Sequence, residues 1–385
     1  AGLRAKMYGG YHNINDLVII QTTQALIQHI KCYFPNTYQQ QGIVIGYDGR
    51  YNSLRFASRI ISICLYYQMK VYFFPSITCT PLVPYSIIEK KACAGIMVTA
   101  SHNPKDDNGY KIFWNSGTQI IPPHNIEISL LIEKYKKPLN IHYYETINDI
   151  IKETNPLLID ITNEMETSYY NKVLEKCIYG YGGKAPPFNI CYTAMHGVGA
   201  PFVKKMFQYA SLPSYIPVIE QCDIDPNFST VKYPNPEEGK GALKLAIETA
   251  KRNNCPIIIA NDPDADRLAV AELLNEENIN IFSGNEIAML FADWIWKNYL
   301  KKYPNLTVSE KKKCLMSAST VSSKFLKNMA NIEGFTFIDT LTGFKWIGTT
   351  SYNYVKDNNY TFLFGYEVEI GFIAHDISFD KDGIR

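Results

Sequence analysis

The chain has 385 residues, 46% of them hydrophobic and 19% charged, with 38 basic against 37 acidic side chains and a net charge of +1. That length is too great for one small core and predicts two to four domains of ordinary globular composition. The near-zero charge gives no bulk attraction to nucleic acid or an anionic membrane, and no run approaches the roughly 18 apolar residues of a transmembrane helix.

The opening Ala-Gly-Leu-Arg-Ala-Lys-Met is not a signal peptide, and without an initiator Met the chain is expected to start inside its gene product. Nine cysteines are scattered, at 32, 64, 79, 93, 177, 191, 222, 255 and 314, with no C-x-x-C or other zinc spacing. The expectation is free thiols in a reducing cytosol.

In chain order, 2–6 is a glycine-led start whose lone Arg4 is ordinarily solvated. From Asn15 the apolar residues Leu17, Ile20, Ala25, Ile27 and Ile30 fit a long amphipathic helix. A short apolar strand at 42–46 runs into the turn Tyr47-Asp-Gly-Arg50. A helix follows from Ser53 to about Gln68, then a strand at 71–74, and Thr80-Pro81 caps another helix. This alternation predicts βαβ units and a largely parallel sheet.

The apolar run after Gly95 stops abruptly at Ala100, where Ser101, His102, Asn103 and Pro104 follow. Asn before Pro disfavours helix, so Ser101 stands at a strand end, where α/β proteins place chemistry. Ser101 and His102 could serve as nucleophile and proton-transfer group; a polar loop with a capping serine is the alternative. No G-x-S-x-G elbow surrounds the serine, which argues against acyl transfer. Beyond it, 110–113 and 118–121 read as a hairpin around Asn115-Ser-Gly117.

Residues 136–190 read as a domain connection with a helix at about 163–176. Gly180-Tyr-Gly-Gly-Lys184 fails as a P-loop, since Ile178 replaces the first glycine and Ala185 the Ser/Thr, leaving a surface loop. A strand at 189–193 enters Ala194-Met-His-Gly-Val-Gly199, where a lone His is more often structural. Asn235 opens a further helix, and Gly239-Lys240 is again no P-loop because Pro234 occupies the first glycine position.

A buried strand at 255–260 ends in Asn261-Asp-Pro-Asp-Ala-Asp-Arg267. The carboxylates of Asp262, Asp264 and Asp266 crowd one tight loop and repel by ~1–4 kcal/mol per pair. A hard cation such as Mg²⁺ or Ca²⁺ would relieve that repulsion; a solvated acidic turn is the alternative. An EF-hand is excluded, with Arg267 in place of its glycine and Leu273 in place of its bidentate Glu. Ser283 and Ser319-Thr-Val-Ser-Ser323 cap two more helices. The loop 341–348 carries a cation and Trp346, which reads as half-buried packing.

The string Thr99-Ala-Ser-His-Asn-Pro104, followed by Asn108-Gly-Tyr-Lys111, closely resembles the phosphoserine loop of the α-D-phosphohexomutases, which include phosphoglucomutases, phosphomannomutases and phosphopentomutases. The Asp-x-Asp-x-Asp-Arg loop resembles that family's metal loop. Ala-Gly-Leu-Arg-Ala, the segment 15–24 and Trp346 are most similar to the phosphoglucomutase-2 and phosphopentomutase branch. The resemblance implies that Ser101 carries a phosphoryl group and that Mg²⁺ sits on Ser101, Asp262, Asp264 and Asp266. It assigns proton transfer or phosphate positioning to His102 and Lys111, and charge stabilisation to Arg4, reached through a Gly-Leu-Arg loop, Arg50 and Arg267. Substrate contacts fall on Thr342, Gly343, Lys345, Glu367, Glu369 and Lys381. Glu369 stands where the family has Ser or Ala, and Val368 where a second Glu is frequent.

The fold implied is α/β, three similar domains with mixed, mainly parallel sheets. They comprise a phosphoserine domain (1–165), a metal-loop domain (166–276) and a sugar-recognition domain (277–385). The family's fourth domain, with its Arg-x-Ser-Gly-Thr phosphate loop, is expected to be absent from this chain. The activity implied is a phosphoglucomutase-type transfer between the 1-position and terminal hydroxyl of a sugar phosphate, with a sugar 1,6-bisphosphate as intermediate and activator. Phosphopentomutase, phosphomannomutase, glucose-1,6-bisphosphate synthase or a non-catalytic sugar-phosphate-binding remnant are the alternatives. The partner is a small-molecule sugar phosphate, not nucleic acid or membrane, and the compartment the cytoplasm.

Overall fold

The computed structural model describes residues 2–152, 154–177, 186–275 and 278–385. The first sheet contains β1 (Gly2–Lys6), β2 (Ile43–Tyr47), β3 (Val71–Phe73), β4 (Ala94–Val98), β5 (Asp107–Trp114) and β6 (Leu158–Asp160), in the order β1-β5-β4-β2-β3-β6. Strands β2 and β4 are buried along their whole length because both faces are covered. Ile43 and Ile45 face the helices Asp16–Tyr33 and Ser53–Tyr66. Val44 and Tyr72 face Leu82–Lys90 and Thr162–Cys177 on the opposite side.

The second sheet holds β7 (Ile190–Thr193), β8 (Ile216–Pro217), β9 (Ile257–Ala260), β10 (Ala269–Leu273) and β11 (Ile279–Ile281), ordered β11-β10-β9-β7-β8. The third holds β12 (Cys314–Ser319), β13 (Thr336–Thr340), β14 (Thr361–Glu367) and β15 (Gly371–Ala374), ordered β13-β12-β14-β15. Each sheet pairs parallel internally and closes one edge with antiparallel strands: β1 and β5, β10 and β11, and β15. The chain is therefore three α/β domains with mixed sheets. One apolar core runs unbroken from Cys191 and Ile258 of the second sheet to Leu363 and Phe364 of the third.

Several local expectations change. Residues 2–6 form an edge strand rather than a loop, because β5 offers an unpaired edge and Leu3 pairs with Tyr110. Leu17 is exposed, while Ile19 and Leu26 join Ile20, Ala25, Ile27 and Ile30 in the buried face. Only the first half of the hairpin at 110–121 is a full strand; Gln119 meets Phe113 through a single bridge. Asn235 caps a 3-10 turn, Pro236–Glu238, and the α-helix waits until Lys244. Part of the segment 136–190 is not a connection at all, since β6 pairs with β3 and completes the first sheet. The glycine loop at 180–184 lies outside the described residues. Ser283 does cap Gly284–Lys302, in a reciprocal box with Glu286.

Candidate active site

Ser101 follows the end of β4 in a left-handed conformation, with φ +52°. Thr99 Oγ1 accepts its backbone N–H at 2.9 Å. Gly109 of β5 passes so close that a Cβ there would stand 2.3 Å from the Thr99 carbonyl, so this register requires glycine. Beneath the loop lies Arg50. Its guanidinium donates to the carbonyls of Ser101 (2.5 Å), Asn103 (2.6 Å), Pro104 (2.8 Å) and Asp107 (3.2 Å). Its Nε lies 3.3 Å from Asp48, which Ser53 Oγ holds at 2.6 Å. Arg50 thus holds the loop's backbone and has both terminal nitrogens committed to it. Arg4, on β1, is exposed and donates to Asn103 Oδ1 at 3.1 Å, at the rim of the same loop.

The metal loop faces this serine from the second domain. The Ser101 hydroxyl donates to Asp262 Oδ2 at 2.7 Å, and the other Asp262 oxygen accepts the Arg267 N–H at 3.0 Å. Lys111 reaches across from β5 and donates to Asp264 Oδ2 at 2.6 Å and Asp266 Oδ2 at 2.8 Å. All three aspartates are buried, with one oxygen of each within 4.8 Å of the others. Oδ1 of Asp264 and Oδ1 of Asp266 are buried without a hydrogen-bond partner. Buried carboxylate oxygens without partners are costly, and a converging all-oxygen set fits a hard divalent cation. The Ala194–Gly199 turn buttresses the loop: Val198 N–H donates to Pro263 O at 2.8 Å, and a Cβ on Gly197 would lie 2.3 Å from Pro263 Cα. His196 points instead at Thr230 Oγ1, 2.7 Å away, the structural role expected of it.

Charge is balanced tightly here. Burial and its two neighbouring carboxylates push Asp262 well above the usual carboxylate range. Burial also acts on Asp264, but Lys111 and the hydrogen bonds donated to its Oδ2 outweigh it and hold Asp264 well below that range. Burial, reinforced by Arg267 and Arg4, lowers His102 to about 3, so its ring is neutral near pH 7. His102 Nδ1 lies 3.4 Å from the Ser101 hydroxyl. Arg267 forms an ion pair with Glu237 at 2.8 Å.

The third domain reaches the site through two segments. Lys381 Nζ stands 3.7 Å from both Asp266 Oδ2 and Glu367 Oε1, tying the metal loop to the end of β14. Burial raises Glu367, with Lys381 and Arg267 opposing. Glu369 lies close enough to raise it further, and its own Oε2 is buried without a hydrogen bond. The turn at 380–383 is a buried strap: Gly383 N–H donates to Ala265 O at 3.2 Å, and Asn261 Nδ2 donates to Gly383 O at 2.9 Å. Thr342 is exposed, Gly343 takes φ +103°, and the Lys345 ammonium lies 5.8 Å from the half-buried Trp346 ring. Among the described residues, none of these three hydrogen-bonds to Ser101, the aspartates, Glu367 or Lys381.

Sequence reasoning missed Asp48, Asn261 and Thr80. Thr80 does not cap its helix, which begins at Leu82 with Pro81 at the cap. Its hydroxyl donates to Asp264 Oδ2 at 2.5 Å instead. Thr80-Pro81 was the available signal, but the same pair is an ordinary helix start.

Comparison with known proteins decides the family. The profile described as phosphoglucomutase/phosphomannomutase, alpha/beta/alpha domain I, matches residues 1–139; domain II matches 167–274 and domain III 283–385. The chain belongs to the α-D-phosphohexomutase family. Within that family it is 41% identical over 390 residues to the phosphopentomutase of Homo sapiens, covering 100% of this chain and 62% of the relative. It is 41% identical over 391 residues to the glucose 1,6-bisphosphate synthase of Homo sapiens, covering 100% and 61%. The chain thus spans about three-fifths of the length of these curated relatives. Among solved structures, a putative phosphomannomutase from Thermus thermophilus shares the fold, with a TM-score of 0.76 at 20% identity, over 100% of this chain and 76% of that one. No helix among the described residues is long and apolar enough to cross a membrane.

Proposed function

We propose that this chain carries the phosphoryl-transfer centre of a phosphosugar mutase of the phosphoglucomutase-2 and phosphopentomutase type. The observation that carries the reading is the 2.7 Å contact between the Ser101 hydroxyl and Asp262, beside two buried carboxylate oxygens left without partners. In the proposed reaction a sugar hydroxyl attacks the phosphorus of phosphorylated Ser101. The new P–O bond forms to the sugar, the P–Oγ bond breaks, and a sugar bisphosphate results. The attacking hydroxyl gives its proton to neutral His102, whose Nδ1 lies 3.4 Å from Oγ, and His102 passes that proton to Oγ as it leaves. After the bisphosphate reorients, the reverse transfer from its other phosphate restores phosphorylated Ser101.

Asp262, Asp264 and Asp266 would hold Mg²⁺, which when bound supplies charge neutralisation at the transferring phosphoryl group. Lys111 keeps its proton and balances the carboxylates, and Arg267 and Arg4 add positive potential on the side of His102. Arg50 acts by fixing the loop. Glu367 and Lys381 orient the sugar, with Thr342, Gly343, Lys345 and Glu369 around them. The substrate is a hexose or pentose phosphate, a range supported by the names of the two human relatives. A sugar 1,6-bisphosphate serves as activator, and the nine free thiols suit a reducing compartment such as the cytosol.

The test is intact-mass analysis after incubation with glucose 1,6-bisphosphate and Mg²⁺. The chain should gain one phosphoryl group, mapped to Ser101. An unmodified chain, or a phosphate elsewhere, would overturn the reading.

A further inference from the structure

The site contains an asymmetry that the metal loop alone does not explain. Asp264 is fully buried, yet two donors converge on one of its oxygens and none on the other. Oδ2 receives the Thr80 hydroxyl at 2.5 Å and Lys111 at 2.6 Å, while Oδ1 is unpartnered. Thr80 also donates its backbone N–H to the Asp264 carbonyl at 2.9 Å. It therefore grips the residue at two points, from a position 184 residues earlier in the chain and in a different domain. Thr80 itself is completely buried, between β3 and the helix Leu82–Lys90.

We propose that Thr80 is a positioning residue for the cation site, turning the Asp264 carboxylate so that Oδ1 faces the metal. The inference rests on the metal reading above. Lys111 is not sufficient for this task, because its ammonium is shared with Asp266 Oδ2 at 2.8 Å and carries no fixed donor direction. A threonine hydroxyl has one proton, and here its backbone is pinned to the residue it serves. The contact also couples the domains: the first domain, which presents Ser101, sets the orientation of a ligand on the second.

The experiment is calorimetric titration of the chain with Mg²⁺, and with Mn²⁺ followed by electron paramagnetic resonance, on the parent, Thr80→Val and Thr80→Ser. Groups that orient metal ligands typically contribute roughly tenfold to a hundredfold in affinity. Thr80→Val, nearly isosteric but without the hydroxyl, should weaken both metals by that factor. Thr80→Ser should restore parental affinity. Should the valine variant fail to fold by circular dichroism, Thr80→Ala takes its place with the same expectation. Parental affinity in a folded variant lacking the hydroxyl, or lost affinity in Thr80→Ser, overturns the role of Thr80 while leaving the metal site standing. A parent chain that binds neither metal overturns both.

Discussion

The two ends of the site are built differently. At the phosphoryl end, Ser101, Lys111 and the three aspartates are buried and joined by bonds of 2.6–2.8 Å across two domains. At the end proposed to hold the sugar, Glu367 and Lys381 meet only at 3.7 Å, Thr342 is exposed, and Lys345, in the first turn of the helix Phe344–Asn358, is half-buried and bonded to neither. Burial and multiple donors pre-set a geometry before any substrate arrives; side chains without such partners leave their ordering to the binding step. Transfer chemistry should therefore be intolerant of change at the first end, while recognition should be adjustable at the second.

The largest effect expected is from Ser101→Ala. It should abolish both phosphorylation and sugar-phosphate turnover, read by mass spectrometry and a coupled assay, since no other hydroxyl in the described residues bonds to Asp262. Asp264→Asn should come next. It removes one of two unpartnered anionic oxygens and should weaken Mg²⁺ roughly tenfold to a hundredfold by calorimetry. An unchanged metal affinity would reduce the loop to an ordinary acidic turn.

Arg50→Met tests whether the first end is pre-set by its scaffold. It leaves four loop carbonyls and buried Asp48 without their cation. Breaking a buried pair by removing one partner costs about 3–5 kcal/mol. The urea midpoint should fall accordingly; a loss below about 1 kcal/mol would show that the loop does not depend on this residue.

How much of this could be read in the sequence follows the same division. Ser101 and the Asp262–Asp266 set stand in short contiguous strings at the ends of apolar strands, so neighbours in sequence are neighbours in space. Thr80 escapes such reading because its partner lies 184 residues away. Arg50 was legible as a residue near the serine loop but not as its support. Local sequence places a guanidinium near a turn without saying whether it faces the backbone or the cleft. The strands of the first sheet were legible where both faces are apolar, as in β2 and β4. The edge strand β1 was not: Leu3 and Ala5 alternate with Arg4 and Lys6, but five residues are too few to set that period apart from chance.

At the second end a smaller response is expected. Lys345→Ala should change KM for the sugar phosphate several-fold with little change in kcat, because remote phosphate contacts are not made to the transferring group. A loss of kcat equal to that of Asp264→Asn would place Lys345 in the chemistry. A region outside both ends offers a control. His29, buried and bonded to His124 at 2.9 Å, is lowered to about 4 by burial and by that neighbour. The unfolded chain takes up this proton near pH 6.5 and the folded chain only near 4, so stability should fall as pH drops through that window. Thermal unfolding followed from about pH 7 to 4 would show it, and a flat profile would contradict it.

The most direct test of the central claim, that serine and aspartates from two domains form one transfer centre, is a single-turnover measurement. Phosphoserine-bearing chain is mixed with sugar phosphate, with and without Mg²⁺, and loss of phosphate from Ser101 is followed in the parent and in Asp264→Asn. The account predicts transfer that requires the metal and is slowed in the variant by far more than any change in its fold. Equal transfer with and without Mg²⁺, or with and without the Asp264 carboxylate, would contradict it.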